Sequence, residues 1–137
     1  MKGSLARWRW LVLAAGAALS LSCNDSTGPT SGVLYATLTG PVPVRSAMFR
    51  LVGKQTSVAP GPGTSFAVFS APTRGDTTII AVVAPVGHTL AEGALVTIAV
   101  PDRNATAAYS LRLLQVASAD LTLQEPVGFL LRIQLPQ

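Results

Sequence analysis

The sequence predicts an all-β fold: one antiparallel β-sandwich of about seven to eight short strands. Three observations predict it. Apolar and polar residues alternate with a period of two in several short runs. The gaps between runs hold most of the ten prolines and twelve glycines. No stretch keeps a helical period over more than a turn or two.

The first 22 residues stand apart from this pattern. Lys2, Arg7 and Arg9 form a basic start, and Leu11 to Ser22 ("LVLAAGAALSLS") form an apolar run. A membrane-spanning helix needs roughly 20 apolar residues. This run is shorter and suits the helix of a secretory signal. It ends at Cys23, the only cysteine. "LSLSC" resembles the lipobox of bacterial lipoproteins, with Leu19 and Ser22 fitting and Ser20 standing where leucine is more usual. The resemblance covers residues 1–23. It implies cleavage between Ser22 and Cys23, a diacylglyceryl thioether on Cys23, and a further acyl chain such as palmitate on the new N-terminus. Two or more chains anchor stably, at about 0.8 kcal/mol per buried methylene. On this resemblance residues 23–32 are expected to be the lipidated cysteine and a flexible tether. "NDSTGPTSG" has no apolar side chain to offset its ordering entropy. Asn24 at the second position resembles the sorting residue of such lipoproteins, and its not being Asp favours the outer over the inner membrane.

The sandwich domain is expected over residues 33–137. "VLYATLT" (33–39) is strand-like. In "SAMFRLV" (46–52), Ala47, Phe49 and Leu51 take one face. "SFAVFS" (65–70) is strand-like, and "TTIIAVVA" (77–84) is apolar on both faces and reads as central. "ALVTIAV" (94–100) follows. In 107–116, Tyr109, Leu111 and Leu113 alternate with Ser110, Arg112 and Leu114. Residues 117–125 are open between a short strand and a helical turn. In 128–135, Phe129, Leu131, Ile133 and Leu135 share a face. With a single cysteine there is no disulfide, so packing of Leu, Val, Ile and the four Phe must hold the domain. It contains no Trp, which excludes a true immunoglobulin domain and leaves an immunoglobulin-like sandwich open. "LAEGALVTIAV" (90–100) is similar to the Gly-led strands of cohesin-like and carbohydrate-binding-like sandwiches, a resemblance that implies a fold neighbour and no function.

Charge excludes nucleic acid as a partner. The net charge is +4, but three of the ten basic residues lie in the first nine positions. The other seven are scattered against six acids, without the clustering that phosphate binding needs.

Catalytic chemistry has few parts. His88, the only histidine, lies in a loop ("PVGHTLAEG") without a G-x-S-x-G nucleophile turn anywhere. Asp25, Asp76, Glu92, Asp102, Asp120 and Glu125 are isolated, with neither an EF-hand loop nor a zinc ligand set. Asp102, after Pro101, reads as a turn residue. The expectation is therefore a non-enzymatic envelope lipoprotein without a cofactor. Its domain would be a structural or protein-interaction module whose partner is another envelope protein. The alternative is a small glycan- or ligand-binding domain working through loops 53–64 or 85–93.

Overall fold

The computed structural model describes residues 28–90 and 93–137. They form two antiparallel sheets, as a β-sandwich requires. In chain order the strands are β1 (Gly32–Thr39), β2 (Ser46–Val52), β3 (Ser57–Pro60), β4 (Ala67–Pro72), β5 (Thr77–Val83), β6 (Ala94–Val100), β7 (Ser110–Ala117), β8 (Leu123–Gln124) and β9 (Leu130–Gln134). One sheet has the order β3-β6-β1-β9 and the other β4-β5-β2-β7-β8. β4–β5 and β7–β8 are hairpins, and every other connection crosses between the sheets.

The alternation read from the sequence becomes the core. Leu34, Ala36 and Leu38 of β1 point inward, as do Ala47, Phe49 and Leu51 of β2. Ile80 and Val82 of β5 meet Leu95, Val96, Ile98 and Val100 of β6. Phe49 is fully buried and contributes about 1.5–3 kcal/mol of transfer free energy.

Two bulges adjust the period. Ala36 pairs with Val96 but Thr37 with Ala94, so Leu95 is the extra residue and two consecutive side chains of β6 are buried. Met48 pairs with Gln115 but Phe49 with Leu113, so Leu114 is extra. That shift lets Leu111 and Leu113 face the core and then brings Val116, rather than Gln115, onto the same face.

The structure differs from the sequence expectation in five places, the first being that the strand expected at 65–70 runs from Ala67 to Pro72. Residues 57–60, within the expected loop 53–64, form β3, whose "SVAP" is too short to alternate visibly. The strand expected at 107–116 starts at Ser110, because Thr106–Ala108 make a 3-10 turn. Residues 117–125 resolve into a turn and the two-residue β8. β5 lies inside its sheet, as expected, but its second apolar face is only half-buried, because among the described residues no element packs over Ile79, Ala81 and Val83.

Strand direction separates two ends. Gly32 enters at one end, the base, with loops 53–56, 73–76 and 101–109. At the other end, the apex, lie loops 40–45, 61–66, 84–90, 118–122 and 125–129. The chain is already held to the base at Thr30. Its N–H donates to Asp102 Oδ1 at 3.3 Å, and its carbonyl accepts from Arg103 N at 2.8 Å.

Candidate site at the apex

The apex loops are stitched together by one short segment. Val44 and Leu90 form an isolated bridge, with Leu90 N donating to the Val44 carbonyl at 2.7 Å. Arg45 N donates to the Ala117 carbonyl, and Ala84 N to the Arg45 carbonyl, both at 2.8 Å. Three loops therefore share one backbone network. Pro41 and Pro43 stiffen the first of them, since the proline ring already fixes φ.

A groove of about 300 Å³ opens here. Its walls are Leu38, Gly40 to Val44, Thr89, Leu90 and Phe129. Gly40 is required by contact: a Cβ there would lie 2.1 Å from the Phe129 ring. A second hollow, of about 220 Å³, lies beside it between Gly63–Phe66, Pro85, His88 and Thr89.

The apex carries most of the exposed apolar side chains. Among the described residues, every exposed large apolar side chain except Val52, Phe69 and Leu135 sits at this end. Val86 is 84% exposed and Val127 81%, and Val42, Leu121, Leu123 and Leu130 join them. Leu121 holds a φ of 65°, a left-handed conformation that costs a leucine about 1–2 kcal/mol. Ser118 and Asp120 shape its turn. The Ser118 hydroxyl and Thr122 N both donate to Asp120 Oδ1, and these bonds hold its carboxyl at about 2, below the usual 3.8.

His88 sits exposed in a turn in which its N–H donates to the Pro85 carbonyl at 3.0 Å. Asp120 and Glu125 share the apex with it, while Asp76 and Asp102 lie at the base. The topology thus puts His88 and the Asp76–Asp102 pair at opposite ends. Asp102 makes an Asx turn, accepting from Asn104 N at 3.1 Å as well as from Thr30. Among the described residues, no three of His, Cys, Asp and Glu come together, and no helix is long and apolar enough to cross a membrane. Ser22, Cys23, Asn24, Asp25 and Glu92 lie outside the described residues.

The base is built differently. Gly53 has a φ of 136°, and the Tyr109 ring lies directly on it. The Tyr109 hydroxyl donates to the Lys54 carbonyl. Burial, with Asp102 and Asp76 nearby, raises the phenol above its ordinary value of 10.0. Lys54, Arg74, Asp76, Asp102 and Arg103 make this end the more charged one.

Sequence reasoning named loops 85–93 and 53–64 as ligand loops but did not join the first, and residues 61–64 of the second, with 40–45, 118–122 and 125–129 at one end, because the five loops share no motif. It also assigned all four Phe to packing, whereas Phe69 is 62% exposed. One signal was available. Phe66 and Phe69 are three apart, and an odd separation along an extended chain sends two side chains to opposite faces.

No protein-family model, curated protein or solved structure matches the chain.

Proposed function

We propose that this protein is a bacterial envelope lipoprotein whose domain is a non-catalytic interaction module for another envelope protein. Cys23 carries the lipid, the segment after it spans the gap, and the apex makes the contact. The carrying observation is the apolar apex, set at the opposite end from the chain entry at Gly32. An anchored domain meets the membrane at its base and a partner at its far end. Exposed apolar side chains on a hydrogen-bonded loop scaffold lose little entropy on contact and gain about 25 cal/mol per Å² buried. The outer membrane is the favoured location, on the residue after Cys23.

Two experiments test the two halves. Palmitate labelling should mark the wild type and not Cys23→Ser; equal labelling removes the lipoprotein reading. Crosslinking in cells should recover one envelope protein with the wild type, and lose it with Val86→Asp/Val127→Asp. Recovery unchanged by that pair refutes the apex as the contact. The groove at Gly40–Val44 and Phe129 favours a second reading, a small ligand-binding domain that uses loop 85–93 through Thr89 and Leu90. Ligand screens on the Cys23→Ser chain separate it from the first.

A further inference from the structure

Each sheet edge has to be kept from pairing with other chains. Three of the four edges here are protected. β8 has two residues and the part of β7 it leaves uncovered carries Arg112, β3 has four and ends in Pro60, and β9 carries Arg132 at its centre. β4 is the exception. It runs for six residues, and the chain holds no charged residue between Lys54 and Arg74. Only Pro72, at its last position, interrupts it.

The backbone direction of this edge is set. Thr73 N donates to the Thr77 carbonyl at 2.8 Å, continuing the β4–β5 ladder. Successive residues of a strand aim their N–H and C=O to opposite sides. Ala67, Phe69 and Ala71 therefore bond β5, and the N–H and C=O groups of Val68 and Ser70 point outward. Among the described residues, no backbone hydrogen bond reaches them from that side.

We propose that the β4 edge pairs antiparallel with the β4 edge of a second copy of this chain, with Phe69 on the two-fold axis. In this register Val68 of each copy exchanges both hydrogen bonds with Ser70 of the other. Phe69 meets Phe69 side by side on the outer face, in the close, non-hydrogen-bonded pairing that favours aromatic contact. Ala67 faces Ala71, and Arg74 faces Thr64, so no like charges meet. A register centred on Ser70 is poorer, because it sets Phe69 against Ala71 and loses the aromatic pair. A second copy is the occupant the edge fits, since an antiparallel strand pair about a two-fold makes one surface complementary to itself. The two five-stranded sheets become one of ten. This inference does not rest on the lipoprotein reading.

Sedimentation of the full chain in mild detergent tests it. The wild type should be a dimer. Phe69→Lys and Phe69→Glu should each be monomers, with the dissociation constant raised on the order of 100-fold by like charges on the axis. Their equimolar mixture should dimerise again. Phe69 is exposed, so both variants should keep the far-ultraviolet circular dichroism of the wild type. Ser70→Pro removes only outward-facing donors and should also give a monomer. A monomeric wild type overturns the proposal, as does a dimer that survives Phe69→Lys or a mixture that stays monomeric.

Discussion

Replacing Gly53 with alanine should be among the most damaging single-methyl additions at the base. Two independent terms act there. The backbone sits at a φ of 136°, held by Gly53 N donating to the Asp76 carbonyl at 2.9 Å. Alanine in that region costs about 2 kcal/mol. The new Cβ would also lie 2.3 Å from Tyr109 Cδ1, 2.7 Å from Cε1 and 3.1 Å from the Ala108 carbonyl. The ring cannot swing aside freely, because its hydroxyl is bonded to Lys54. Overpacking of this kind costs about 2 kcal/mol more. Gly53→Ala should therefore lose about 4 kcal/mol, a large part of the ~5–15 kcal/mol that holds a domain together. Tyr109→Ala alone should lose about 3 kcal/mol. With the ring gone, the steric term disappears and only the backbone term remains. The double variant should then lose about 5 kcal/mol rather than about 7, a coupling of about 2 kcal/mol. Urea unfolding of the four proteins measures this cycle. Additive losses would refute the steric part, and a Gly53→Ala loss below about 1 kcal/mol would refute both parts.

At the apex, Leu121→Asn should raise stability by about 0.5–1 kcal/mol, since asparagine tolerates the left-handed backbone that leucine resists. The same variant should weaken partner crosslinking, and a loss of stability in urea would count against the strain. Gly40→Ala should push the Phe129 ring into the groove, costing about 1–2 kcal/mol because Phe129 is only half-buried. A crystal structure of that variant with an unmoved ring would contradict this. The Asp120 carboxyl should titrate near 2 by carbon-13 NMR, and its bonds to Ser118 and Thr122 support the turn only while it is ionised. Because its folded value is depressed, that support is complete above about 4 and is lost as pH falls toward 2. Ser118→Ala should move the titration back up toward 3.8, and an unchanged value would exclude the hydroxyl as its cause.

Much of the fold was legible in the chain because strand formation is written locally. Ala47-Phe49-Leu51 and Leu131-Ile133 alternate within a few residues, and the intervening glycines and prolines mark where extended chain must turn. Asp102, placed after a proline and before Arg-Asn, announced its turn in the same way. Other features depend on what lies across the sheet. Nothing local distinguishes Leu95 and Leu114 as bulges, because a bulge exists only relative to the neighbouring strand's register. Nothing local tells which face of Ile79-Ala81-Val83 stays uncovered, because both faces are apolar and only the second sheet chooses one. By itself the sequence determined an all-β chain of short alternating strands, and it set apart from them a basic and apolar stretch that ends at one cysteine. The tertiary structure alone decided which strands share a sheet, that β4 ends its sheet as an uncharged edge, and that Val42, Val86, Leu121 and Val127 meet at one end. The physical reason is range. Alternation and turn chemistry act between residues a few positions apart, whereas edges, bulges and surface patches are relations between segments that only packing brings together.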